Sequence, residues 1–189
     1  MGHYVAMLFS LLAISLNFCQ TTPHKVHLES ERVTQFAIEH LPQEGVLMRN
    51  PDGYVFLKVD DDYIYALYPL LDIKKEGFLE PPYFRRKNSP GAHISIFYAN
   101  DHVNPQELGQ KFHFIPLRVV SVKNAKAQYI VLEVHAPEIE KLREKYGFAP
   151  RLKGKEFHIT IAKKFFKSHQ HAESNKNKNH QLHRFLIQN

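Results

Sequence analysis

His93-Ile94-Ser95-Ile96 and His158-Ile159-Thr160-Ile161 carry one pattern twice, 65 residues apart: a histidine and a hydroxyl residue alternating with isoleucines. Both lie in β-rich runs, where successive side chains point to opposite faces. Ile94 and Ile96 therefore share one face, and His93 and Ser95 the other. Ile159 and Ile161 stand in the same way against His158 and Thr160. Each strand presents one imidazole beside one hydroxyl, on the face turned away from its isoleucines.

The chain holds 13 His and 12 Ser or Thr. A random order would give roughly 0.15 such matches, so two arise about once in a hundred shuffles. The flanks repeat as well. Arg85, Arg86 and Lys87 precede His93, and Arg151, Lys153 and Lys155 precede His158. Each unit reads as a basic loop feeding a His-apolar-hydroxyl-apolar strand. The duplication predicts two halves about a pseudo-twofold axis, with two histidines and two hydroxyls brought to one cleft.

Outward from the motifs, helix and strand signals alternate. Leu28 to Leu41 carries a helical apolar stripe that ends at Pro42. Tyr54 to Val59 and Tyr63 to Leu67 read as strands joined through Asp60-Asp61-Asp62, a solvated hairpin turn lacking the further ligands of a calcium loop. Gly77 to Gly91 reads as a loop, and Asn104-Pro105 as the start of a short helix to about Gln110. Phe112 to Val122 and Gln128 to His135 form a second expected hairpin. Pro137 to Tyr146 is a helix, acidic early and basic late, closed by Gly147. The mixture predicts an α+β domain with largely antiparallel sheet.

At 189 residues the chain has room for one domain with appendages. A single cysteine, Cys19, excludes an intrachain disulfide framework and any multi-cysteine metal site. Val5 to Leu16 has the length of an export-signal core and is short for a membrane span. It lacks a basic residue before it and an Ala-x-Ala site after it. Residues 1–22 are read as a signal peptide or anchor, 26–166 as the folded domain and 167–189 as a polar tail. Secretion or a periplasmic location follows, with Cys19 as a lipid site in one version; a buried apolar run would instead leave the protein cytoplasmic. Of the net charge of +6, Lys163 to Asn189 supplies +5, from six Lys or Arg against one acid. The domain itself is almost neutral, so the basic pI is mainly a property of the tail.

Two imidazoles flanked by hydroxyls suit one chemistry. Cleavage of a phosphodiester needs a base for the nucleophile and an acid for the leaving oxygen, placed for in-line displacement. Imidazole serves either role near neutrality. Ser95 and Thr160 would donate to the non-bridging oxygens while the basic loops offset charge. No metal or other cofactor is required.

On the two His-x-Ser/Thr motifs the chain resembles the 2H phosphoesterase superfamily, over roughly Val26 to Lys164. Its branches include RNA 2',3'-cyclic phosphodiesterases, bacterial RNA 2'-5' ligases and exonucleases that trim RNA 3' ends. The resemblance implies a bilobal fold of two pseudo-twofold halves, mostly antiparallel sheets lining a central cleft and helices outside. It also implies metal-independent attack at phosphorus, with His93, Ser95, His158 and Thr160 as the catalytic set. Ser95 replaces the commoner Thr but supplies the same hydroxyl.

The expected substrate is a nucleotide or RNA, bound by a monomer. Arg85, Arg86, Arg151, Lys153 and Lys155 are candidate phosphate contacts. Tyr83, Phe84 and Phe157 are candidate base-stacking groups. Two other readings stay open. The same cleft would serve a non-catalytic nucleotide or RNA sensor, and His169-x-His171 with His180-x-x-His183 would serve weak metal capture by the tail.

Overall fold

The computed structural model describes residues 23–84 and 89–166. The N-terminal apolar run, Arg85 to Asn88 and the tail from Lys167 lie outside the described residues. The chain runs α1 (Pro23–His40), β1 (Glu44–Arg49), β2 (Val55–Lys58), α2 (Asp62–Tyr65), α3 (Leu67–Leu70) and β3 (His93–Phe97). It continues with β4 (Lys111–His113), β5 (Ile115–Lys123), β6 (Ala127–His135), α4 (Pro137–Lys145) and β7 (Phe157–Phe165). The strands form one seven-stranded antiparallel sheet in the order β4-β1-β2-β3-β7-β6-β5.

This order is the expected pseudo-twofold. Strands β1-β2, helices α2 and α3, then β3 make one half; β5-β6, α4, then β7 make the other. The halves meet at the centre where Ile94 lies opposite Ile159, and a further antiparallel bridge joins Leu79, in the loop of the first half, to Lys163 of β7. The helices cross the seam: α2 and α3 pack on β7, while α4 packs on β3. Their apolar residues Tyr63, Ile64, Leu67, Ile139 and Leu142 join Ile94, Ile96, Ile159 and Ile161 in one buried core. The isoleucine face is thus the covered face, and the motif histidines stand on the other.

Both motif strands also bulge at the same place. Ser95 opposes Phe56 and Phe97 opposes Val55, skipping Ile96; Thr160 opposes Val131 and Ala162 opposes Ile130, skipping Ile161. One extra residue resets the alternation. Phe97 and Ala162 consequently turn into the core and are fully buried. The bulged carbonyl of Ile96 is held by the Arg143 guanidinium, which also donates from Nε to Ala149 O at 2.8 Å. Arg143 is buried, with its cation 5.2 Å from the Phe97 ring centre and 5.6 Å from that of Phe148.

Four local expectations are corrected. Tyr63 to Leu67 is helical, not a strand: Tyr63, Ile64, Leu67 and Leu71 are the buried positions, a helical spacing. The aspartates start that helix, with Asp62 N–H donating to Asp60 Oδ1 at 2.9 Å. Asp61 is not simply solvated, because it pairs with Lys58 and accepts the Ala92 N–H at 2.9 Å. Asn104 to Gln110 makes turns rather than a helix, since its backbone is bound elsewhere: Gly109 N–H donates to Leu47 O, and Gln106 N–H to the Tyr146 hydroxyl, both at 2.8 Å. Phe112 to Val122 is two strands at opposite edges of the sheet, parted only by Phe114. His113 and Ile115 are two residues apart, at most about 7 Å between Cα atoms, so the sheet curls until its edges meet at that corner. Buried Phe114 packs there against Tyr63, ring centres 5.5 Å apart.

Candidate active site

Antiparallel pairing centred on Ile94 and Ile159 fixes the geometry of the site. By the alternation of antiparallel strands it puts His93 and Ser95 on the same face as His158 and Thr160, with the histidines on a diagonal across the seam. Diagonal neighbours on one face lie about 7–8 Å apart at Cα, within reach of one phosphate between two imidazoles. The His93 and His158 charges interact accordingly.

Both imidazoles are oriented by the same device. His93 Nδ1 lies 2.7 Å from Gly91 O, and His158 Nδ1 lies 3.2 Å from Glu156 O. A carbonyl only accepts, so each Nδ1 carries a proton and each neutral ring keeps Nε2 as its proton acceptor. The two carbonyls are themselves anchored. Gly91 N–H donates to Tyr83 O at 3.1 Å, and Gly91 sits at φ +67 against the Lys58–Asp61 pair, where a Cβ would come within 2.5 Å of Asp61 Oδ1. Arg151 pairs with Glu156, the residue that orients His158, and with Glu140 at 3.3 Å.

The halves differ in charge. Lys58 is the cross-strand neighbour of His93, and Glu133 that of His158. Glu133 accepts from Arg118 Nε at 2.7 Å. Burial pushes the His93 pKa below its ordinary value; the Gly91 carbonyl opposes this, and the charges of Lys58 and His158 add to it. A neutral, acceptor-ready Nε2 at His93 follows.

Aromatic rings wall His93. The rings of Tyr83, Phe56 and Tyr54 meet its imidazole edge-on at 4.8, 5.8 and 5.9 Å between centroids. Tyr54 and Tyr83 also reach the motif hydroxyls. Tyr54 OH lies 2.5 Å from Ser95 Oγ, and Thr160 lies near enough to the Tyr83 phenol to hold its pKa down against the larger upward effect of burial.

The structure brings His93, Ser95, His158, Thr160 and Tyr83 together. Arg151 stands behind His158, bound to carboxylates. Lys153 and Lys155 are exposed, the Lys153 ammonium lying 4.9 Å from the centre of the Tyr98 ring. Phe84 stacks on Tyr65 at 4.7 Å. Phe157 is not a stacking surface: it alternates with His158, shares the face of Ile159 and Ile161, and is buried in the core. Arg85 and Arg86 lie outside the described residues. Sequence reasoning missed Tyr54, Lys58 and Asp61. Tyr54 was detectable only as the residue entering the strand next to the first motif, because its register against Ser95 depends on the bulge. Among the described residues, no group of three His, Cys, Asp or Glu could hold a metal ion. No helix among them is long and apolar enough to cross a membrane.

A family model described as Swiss Army Knife, 2H phosphoesterase domain, matches residues 55–171, more than half the chain and both motifs. The protein belongs to the 2H phosphoesterase superfamily, a phosphodiesterase-type family acting on phosphoester bonds. Searches of curated proteins and of solved structures return no match.

Proposed function

We propose that the protein is a metal-independent phosphodiesterase acting on nucleotide or RNA phosphodiesters, 2',3'-cyclic phosphates or 2'-5' linkages. The observation that carries this reading is the Ile94–Ile159 pairing, which supports two imidazoles and two hydroxyls sharing one face of the sheet. His93 is the base in hydrolysis, because burial keeps it neutral. Its Nε2 takes a proton from water as the water oxygen bonds to phosphorus. The bond from phosphorus to the leaving oxygen breaks on the opposite side, and the His158 imidazolium gives that oxygen its proton. Exchange with solvent then returns the proton from His93 and restores that of His158. Ser95 and Thr160 donate to the non-bridging oxygens, where charge accumulates.

Aromatic groups on and beside the motif strands support a substrate carrying bases. Tyr98 is 40% exposed beneath the Lys153 ammonium. Lys163 lies 5.0 Å from the Tyr129 ring centre and 4.2 Å from that of Phe165, itself 63% exposed. Open aromatic faces paired with cations suit stacking of bases beside a phosphate backbone. The test is turnover of nucleoside 2',3'-cyclic phosphates and of short 2'-5' and 3'-5' oligonucleotides by the full chain in EDTA. Hydrolysis of one class is expected; tight binding without turnover of any would make the protein a sensor.

A further inference from the structure

We infer that Tyr54 and Tyr83 are positioning residues that turn the Ser95 and Thr160 hydroxyls into fixed donors toward the phosphate. The inference rests on the proposed phosphodiesterase reading and adds to it two groups outside the motifs. Ser95 has the Tyr54 phenol 2.5 Å away, and the Tyr83 ring, 4.8 Å from the His93 ring, brings its phenol near Thr160. The two phenols come from unrelated places. Tyr54 leaves the turn in which Asn50 N–H donates to Tyr54 O and Tyr54 N–H to Asn50 Oδ1; Tyr83 sits in the loop before β3. The arrangement is thus a feature of the site rather than a by-product of the strand repeat.

A hydroxyl carries one proton and two acceptor lone pairs. Left alone, the Ser95 proton rotates among partners and meets phosphate in only some orientations. A phenol is the more acidic partner, and when it donates to Ser95 Oγ the serine proton is freed for the substrate. The linked donors then polarise one another, so the hydrogen bond to phosphate strengthens as charge builds on its oxygens. Burial pushes both phenol pKa values upward, so each phenol keeps the proton it donates. The same rings hold the His93 imidazole edge-on, and the Tyr54 ring is braced on Phe56 at 5.4 Å. Removing only the phenolic oxygen leaves these ring contacts in place.

The experiment is two double-mutant cycles in the full chain, Tyr54→Phe with Ser95→Ala and Tyr83→Phe with Thr160→Ala, with kcat and KM measured separately. Each Tyr→Phe change is expected to lower kcat about tenfold, the scale of one net hydrogen bond, with KM within about twofold. In the Ser95→Ala or Thr160→Ala background the same change should cost nothing further. Undiminished loss in the alanine background, or unchanged kcat in both Tyr→Phe variants, overturns the inference. Affinity for a nucleoside 2'-monophosphate provides a readout independent of turnover: its charged oxygens accept from the same hydroxyls, and Tyr54→Phe should weaken binding about tenfold. If the wild type binds that ligand but turns over no diester, the catalytic reading fails while this cycle still tests the phenols. If one cycle is lost to misfolding, the other decides the question.

Discussion

Ile94 stands directly opposite Ile159 across the seam between β3 and β7, the central pair of these two strands. Two buried isoleucines, each next in sequence to a motif histidine, thus set the spacing of the two histidines on the opposite face of the sheet. A substitution at the seam acts on catalysis through spacing, and one behind a histidine acts through its orientation. The expectations below separate these from direct contact with substrate.

His93 should impose the acidic limb of the pH profile. Burial, assisted by Lys58 and His158, holds its pKa below the ordinary 6.5. The limb of kcat/KM is therefore expected below 6.5. Stability follows the same sign. The unfolded histidine takes up its proton first as pH falls, so the contribution of neutral His93 is complete above about 6.5 and is lost as pH falls from there through the folded value. Urea midpoints at pH 7.5 and pH 5 should differ more for the wild type than for His93→Gln.

Gly91→Ala should damage both fold and rate. The added Cβ meets Asp61 Oδ1 at 2.5 Å and Lys58 Nζ at 2.8 Å, at a left-handed φ. A cost of about 1–3 kcal/mol is expected in urea titrations. Displacement of the carbonyl that orients His93 should lower kcat at temperatures where the variant is still folded, and an unchanged kcat would contradict the link.

Arg143→Met should destabilise by about 2–3 kcal/mol, because the carbonyls of Ile96 and Ala149 lose a buried donor. Methionine keeps much of the packing against Phe97 and Phe148. A loss below about 0.5 kcal/mol in chemical denaturation would show that the bulge after Ser95 needs no anchor.

Arg151 distinguishes a phosphate ligand from a brace. Its guanidinium is engaged by Glu140 and Glu156, so Arg151→Gln should lower kcat several-fold while KM and its salt dependence stay near wild type. Direct phosphate contact would instead raise KM and flatten the salt dependence.

Much of this was legible in the sequence wherever alternation or periodicity was strong. The two motifs, their faces and the α+β class follow from a period of two in β3 and β7 and from helical stripes in α1 and α4. Legibility failed where tertiary partners decide. Tyr63 to Leu67 is β-rich in composition but buries a helical face. Phe112 to Val122 looks continuous because nothing local shows that Phe114 carries the chain from one sheet edge to the other. Glu44–Arg49 pairs on both sides yet carries a glycine, and Gly45 is needed there because a Cβ would meet Lys58 O at 2.6 Å. At the site, Phe157 has the composition of a stacking residue, but its parity with Ile159 sends it to the core. Tyr54 and Lys58 reach the site only through cross-strand register.

The most direct test of the central claim is the rate of diester hydrolysis in His93→Ala, His158→Ala and the double variant, in EDTA, with folding checked by circular dichroism. Acid–base catalysis by one pair predicts a fall of about 10²–10⁴-fold in each single variant and little further loss in the double. Full-rate hydrolysis in either single variant would contradict it.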